Sequence, residues 1–171
     1  MDPAFNTHGE LESLEILVNQ SPLLRSTYFE VLRFASASVS VRYVLEDTVI
    51  SGYTVKKGAT VMCPRRPYHF DTRVWGPDAD IFVADRFIRE SKNGVKRGAE
   101  AQVKPFGGGV TLCPGRHLAM NKILAFVAIL VHRYDLTLAE GESIPPVNAE
   151  APAGGMAGPT HDVKVQVRMR S

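Results

Sequence analysis

The stretch from Phe106 to Ala119 reads F-G-G-G-V-T-L-C-P-G-R-H-L-A, and it holds the side chain best placed for chemistry, Cys113. Three consecutive glycines, Gly107 to Gly109, permit a tight backbone that can approach another group closely. Pro114-Gly115 follows the cysteine, and an apolar helical pattern then runs from Arg116 to about Tyr134. One cysteine therefore sits between a Gly-rich loop and a helix start. Loop N–H groups aimed at the sulfur and the positive end of the helix would both favour a thiolate. A thiolate held in this way is either a nucleophile or a metal ligand.

Spacing narrows the choice. A phosphate loop of the form G-x-x-x-x-G-K-[ST] is excluded, because no lysine follows the glycines. A phosphatase-type cradle needs an arginine where Ala119 stands, and Arg116 comes too early. A Cys/His nucleophile pair stays open, since its histidine can come from anywhere in the fold. Cys63, His69, Cys113 and His117 lack the short spacing of a zinc site. A buried structural cysteine is the plain alternative.

The stretch as a whole is more specific. F-x-x-G-x-x-x-C-x-G-x-x-x-A resembles the haem-binding signature of the cytochrome P-450 family, with Phe106, Gly109, Cys113, Gly115 and Ala119 in register. The resemblance implies a thiolate-ligated haem with Cys113 as the axial ligand of its iron. Phe106 would pack beside the sulfur, Ala119 would let the following helix lie close to the porphyrin, and Gly107, Pro114 and Gly115 would adjoin the cofactor. A thiolate pushes electron density onto iron and favours O–O cleavage. Loop N–H groups bonded to the sulfur would tune its potential. One position departs from the family pattern: Thr111 stands where the family usually has Arg or His reaching a haem propionate. One charge-assisted contact is missing there, and haem anchoring must lean on other donors.

The elements that would position this loop begin upstream. Leu11, Leu14, Leu17 and Val18 predict a short helix over Glu10–Asn19. Ser21 as N-cap and Pro22 at the first helical position then predict a second helix, running from Leu23 to about Ala35. Glu30 and Arg33 share a face of that helix. Taken alone they read as a surface ion pair of little worth. Within the resemblance, E-x-x-R is a second P-450 signature, and it implies a buried pair that needs a third partner. The segment D-I-F-V-A-D-R-F resembles the family pattern F-x-P-x-R-F: Phe82, Arg86 and Phe87 match, and Ala84 replaces the usual Pro. Glu30, Arg33 and Arg86 are therefore expected to form a structural triad that locks the segment carrying the Cys loop. Removing one member should be severe.

Between these motifs lie strands. Ser38–Leu45 alternates, and Thr48 to Cys63 reads as short strands joined at Ser51-Gly52 and Lys57-Gly58, together one small antiparallel sheet. Arg42 in the first strand reads as an exposed arginine; the resemblance implies that it reaches a haem propionate, a suitable target for a guanidinium. The small residues Ala35 to Val41 would pass close to an apolar substrate. His69, in a turn-rich stretch, reads as a satisfied structural histidine. Ser91 to Glu100, with Lys92, Lys96 and Arg97, reads as a solvated loop whose basic surface could meet an acidic redox partner. The helix from Arg116 is apolar on nearly every face between Ile123 and Val131, which predicts burial and points to packing partners outside the chain. Val163, Val165 and Val167 predict a last strand pairing near Leu136 to Leu138, and the tip Gly154 to Thr160 would approach the substrate.

Composition is that of an ordinary globular domain: 171 residues, 44% hydrophobic, 22% charged, net charge +2. Nothing in it points to nucleic acid, and two cysteines make no disulfide framework. No apolar run reaches membrane-span length, and M-D-P-A-F-N-T-H-G-E lacks the apolar core of a signal peptide, which gives a cytosol-like reading. The expected fold is mainly α with a small antiparallel β-sheet: residues 1–20 as the tail of a preceding helix or an artificial start, and 21–171 as the C-terminal, haem-proximal part of a P-450 domain. The resemblance is to the eukaryotic, fungal-like microsomal type. It implies a monooxygenase of secondary metabolism that inserts one oxygen of O2 into a small apolar organic substrate, with a reductase as redox partner and an endoplasmic-reticulum location for a full-length relative. No A-G-x-[DE]-T pattern of an oxygen-activating helix occurs. The alternatives are therefore an inactive fragment or interaction module, and a haem-thiolate isomerase or dehydratase. The chain by itself is expected to leave apolar surface exposed and to associate.

Overall fold

The computed structural model describes residues 4–88, 99–148, 150 and 155–170. Two helices open the fold, α1 over Leu14–Gln20 and α2 over Pro22–Ala35. The start of α1 differs from the expected Glu10. Asn6 Oδ1 accepts the N–H groups of His8 and Glu10, which holds that stretch in a turn. Ser13 then caps the helix by accepting the Ile16 N–H at 3.2 Å. Ser21 is the N-cap residue of α2, but its hydroxyl makes no capping bond. It is also the last residue of the preceding turn, with its N–H donated to Leu17 O at 3.2 Å. The fixed φ of Pro22 is left to set the start of α2.

After α2 the chain forms β1 (Val39–Tyr43), β2 (Thr48–Ile50), β3 (Tyr53–Val55) and β4 (Thr60–Pro64). The expected single sheet is instead two antiparallel pairs, β1 with β4 and β2 with β3. Arg42 faces Val61 in the first pair, and Val49 faces Thr54 in the second. Two one-turn helices follow, α3 (Arg66–His69) and α4 (Thr72–Trp75). The helix α5 (Arg116–Arg133) runs directly into β5 (Tyr134–Leu138), which pairs antiparallel with β6 (Val165–Met169). Leu136 opposes Val167, as the valine alternation predicted.

The core lies where α1, α2, α4 and α5 meet. Leu17, Tyr28, Leu32, Trp75, Phe87, Leu124 and Ala128 are buried together there. Ala4 and Phe5 join them, and the Phe5 ring stacks on His132 of α5 at 4.0 Å. Each large apolar side chain buried here contributes about 1.5–3 kcal/mol relative to exposure. The all-round apolar pattern of α5 finds partners on one side only, in line with the expectation that apolar surface is left exposed. The helix buries Leu124 and Ala128 but leaves Leu118, Ile123, Phe126 and Val131 exposed, Phe126 by 66%. Only one side of α5 has helices to pack on. No helix among the described residues is long and apolar enough to cross a membrane.

Candidate functional site

A charge cluster forms the deepest part of the site. Glu30 and Arg33 are completely buried on α2 and Arg86 is 5% exposed. The guanidinium of Arg33 grips Glu30 with two bonds, Nε to Oε2 at 2.8 Å and Nη2 to Oε1 at 2.7 Å. Arg86 Nε adds a third bond to Oε1 at 3.0 Å, and the Val83 N–H a fourth, also at 3.0 Å. Most of the remaining guanidinium protons go to peptide carbonyls. Arg33 Nη1 donates to His69 O and Ala79 O, at 2.6 and 2.7 Å. Arg86 donates to the carbonyls of Trp75, Asp78 and Ile81. Buried charges are costly unless paired and hydrogen-bonded, and these are both. The rings of Phe34, Phe70 and Trp75 lie within 5.4–5.6 Å of the Arg33 guanidinium and add cation–π contact.

The three expected members thus come together, with a fourth that sequence reasoning missed. Asp78 Oδ1 accepts from Arg86 Nη1 at 2.8 Å. Its signal was available: an acidic residue in the W-G-P-D turn shortly before Arg86. The cluster then reaches the Cys loop through His69. This residue is completely buried, and its Nε2 accepts the Lys104 N–H at 3.3 Å. Burial first, then the nearby charges of Arg33 and Arg65, holds its pKa down from 6.5 to about 4, so the ring is neutral at pH 7.

The Cys loop spans Pro105 to Gly115. Gly107 and Gly109 have φ of +80° and +63°, the left-handed region that glycine enters without strain. The Cys113 N–H closes the loop on Phe106 O at 3.1 Å, and Leu112 N–H bonds to Gly109 O at 3.1 Å. The expected N–H bonds onto the sulfur are not formed among the described residues. Two of the loop's amides, those of Leu112 and Cys113, are taken up by carbonyls of its own turns. Gly115, with its backbone in the helical region, is the N-cap of α5. A Cβ there would stand 3.7 Å from Cys113 Sγ, so the turn passes close by the sulfur. Cys113 is a free, half-buried thiol, whereas Cys63 is exposed on β4.

Arg42 is brought to the same loop. Its Nη2 donates to Thr111 Oγ1 at 2.9 Å and to Gly108 O at 3.2 Å. The cation therefore stands beside the threonine that occupies the position where a cation was expected. Phe106 forms the wall between two hollows. One, of about 480 Å³, is apolar and is lined by Leu24, Val31, Phe106, Ala119, Ile123 and Met156. The other, of about 450 Å³, is more polar and includes Arg25, Gly107, Gly108, Arg116 and His117. The tip at Gly155–Met156 reaches the first hollow by pairing with the end of α2. Ala37 N–H bonds to Gly155 O at 2.8 Å, and Ala157 N–H to Ala35 O at 2.7 Å. The two segments expected near substrate, from Ala35 and from the tip, thus lie side by side. Gly154 itself and most of the basic loop, including Lys92, Lys96 and Arg97, fall outside the described residues; Glu100 pairs with Arg25 at 2.7 Å.

An aromatic ring and a small residue facing one apolar hollow, with a thiol on the adjoining loop and a cation bonded to that loop, neither of them lining the hollow, are together compatible with a flat apolar macrocycle bearing carboxylates. Cys113, Phe106, Ala119 and Arg42 supply those features. Among the described residues no group of three or more His, Cys, Asp or Glu could hold a metal ion by itself.

A family model described as cytochrome P-450 matches residues 15–166, and the chain belongs to that family. It is 35% identical over 154 residues to the cytochrome P-450 monooxygenase nodJ of Hypoxylon pulicicidum, covering 86% of this chain and 30% of that protein. It is 38% identical over 142 residues to the monooxygenase poxD of Penicillium oxalicum, covering 81% and 29%. Cytochrome P-450 7A1 of Rattus norvegicus is 28% identical over 169 residues, covering 91% and 33%. Among solved structures, the fold matches retinoic-acid-bound cyanobacterial CYP120A1 with a TM-score of 0.74 at 23% identity, covering 96% of this chain and 36% of that one. The chain spans about a third of the length of the curated relatives it matches.

Proposed function

We propose that this chain supplies the proximal part of a haem-thiolate monooxygenase site, with residues 21–171 as the C-terminal part of the P-450 domain. Cys113 would hold the iron of a haem through its thiolate, Phe106 and Ala119 would adjoin the macrocycle, Gly107, Pro114 and Gly115 would shape the turn around the sulfur, and Arg42 would meet a propionate. Bound in this way, a thiolate-ligated haem supplies the activation of O2 for oxygen insertion into a small apolar organic substrate, with electrons from a reductase. The chain's own part is to hold the sulfur and to keep the surrounding pocket apolar. The Ala35–Ser36 and Gly155–Met156 segments border the substrate side. Glu30, Arg33 and Arg86 fix the frame and do not touch the reacting atoms.

The observation that carries this reading is the convergence of Phe106, Ala119 and Met156 on one apolar hollow beside the Cys113 loop. The exposed apolar side of α5 further favours catalysis only when the unit is packed against the helices that account for the rest of the relatives' length. The test is a ferrous–CO absorbance spectrum of the chain mixed with haem. A Soret band strongly red-shifted from that of a His-ligated haem, and lost in Cys113→Ala, supports the assignment. A free-haem spectrum unchanged by the protein would overturn it for this chain.

A further inference from the structure

Among the described residues no hydrogen bond joins the charge cluster directly to the Cys loop; His69 bonds to the cluster and to Lys104, the residue that leads into the loop. The carbonyl of His69 accepts Arg33 Nη1 at 2.6 Å, and its ring Nε2 accepts the Lys104 N–H at 3.3 Å. Lys104 is followed by Pro105, which has no N–H, and then by Phe106, whose carbonyl closes the loop on the Cys113 N–H. We propose that His69 is the positioning residue that couples the Glu30–Arg33–Arg86 cluster to the Cys loop, through its carbonyl on one side and its Nε2 on the other.

Three features support a specific role over simple core filling. First, the ring must be the tautomer with the proton on Nδ1, because Nε2 faces a donor. Nδ1 is itself buried with no hydrogen-bond partner among the described residues. A core-filling side chain would avoid this orphaned donor, which is tolerated here while the other nitrogen serves Lys104. Second, the ring is held edge-on between Trp75, at 6.3 Å and 79°, and Tyr68, at 5.9 Å, which fixes the direction of Nε2. Third, burial beside Arg33 and Arg65 keeps the ring neutral, the only form in which Nε2 accepts.

The test needs no cofactor, so its failure is separable from failure of the haem reading. In the full native chain, nitrogen NMR of the His69 ring gives the tautomer and amide hydrogen exchange gives the protection of Lys104. The Nδ1–H tautomer with a protected Lys104 amide is expected; the Nε2–H tautomer or an unprotected Lys104 overturns the proposal. Variants then test coupling. His69→Phe should speed Lys104 exchange about fivefold, the change for one net hydrogen bond. His69→Gln, whose side-chain oxygen reaches the Nε2 position, should restore protection. Glu30→Gln should speed the same amide in the wild-type background but add nothing in His69→Phe. Additive effects, or no rescue by Gln while α2 amides stay protected, would sink the coupling. If His69→Phe does not fold, the two native-chain measurements still decide.

Discussion

Replacing Glu30 by Gln is the sharpest test of how the frame is held. The change is nearly isosteric, so it removes charge without opening a cavity. Glu30 is completely buried and its two oxygens accept from Arg33 Nε, Arg33 Nη2, Arg86 Nε and Val83 N, at 2.7–3.0 Å. Gln keeps one acceptor and turns an NH2 toward a guanidinium, so donor faces donor. Arg86 retains Asp78, but Arg33 is left with carbonyls alone. Breaking a buried pair from one side costs about 3–5 kcal/mol, and the surviving Asp78 contact puts this case near 3. With a urea slope of roughly 1–3 kcal/mol per molar, the midpoint should fall by about 1–3 M. The assay has a built-in reporter: Trp75 is the chain's single tryptophan, is completely buried, and its carbonyl accepts from Arg86. The control is Asp47→Asn, which breaks an exposed pair with Lys56 and should leave the midpoint in place. If Glu30→Gln behaves like that control, the cluster is not holding the fold.

Acid should weaken the protein through His69. Its folded pKa of about 4 lies below its ordinary 6.5, so the unfolded chain takes up a proton that the folded chain refuses. Stability from this group is complete above pH 6.5 and falls as pH drops toward 4, by ~3 kcal/mol in all. Urea midpoints across that window should show a slope that His69→Gln removes. Arg42→Ala should weaken haem uptake roughly 10–100-fold, the loss of a charge-assisted contact. Haem with esterified propionates should bind both proteins alike; a difference that survives esterification places Arg42 elsewhere. Phe126→Glu, on the open side of α5, should reduce self-association in sedimentation without moving the urea midpoint.

Local rules made part of the frame legible, whereas the burial of Glu30 and Arg33 and their partner Arg86 came from the resemblance to the P-450 signatures. The E-x-x-R spacing puts Glu30 and Arg33 on one helix face, and Pro22 marks the start of α2. The valine alternation gave β6 its partner. What was not legible depends on long-range geometry. Asp78 carried a signal, its place in the W-G-P-D turn shortly before Arg86, but its joining the cluster shows only once Arg86 is seen beneath α2. Arg42 meets Thr111 across a separation that no pattern measures. The amides of the Cys loop looked free to bond the sulfur, yet the tight turns engage those of Leu112 and Cys113 with carbonyls. The apolar pattern of α5 reported what the helix can bury, and the excess over what this chain can cover was legible as exposed surface, though which side stays open was not.

The two arginines of the cluster recognise the stretch from His69 to Ile81 almost wholly by its peptide carbonyls. Carbonyls are the same whatever side chain accompanies them. Evolutionary drift in residue type is therefore tolerated where the side chain points outward, as at Ile81, which is 57% exposed. A change in length is a different matter. Deleting one residue between Trp75 and Ile81 would slide several acceptors out of reach at once and strand two buried cations. Outside the buried His69, Trp75 and Ala79 and the paired Asp78, this stretch should accumulate substitutions among descendants while admitting almost no insertions or deletions. The substitution of Ala84 for the family's usual Pro, just beyond it, is a change of the permitted kind.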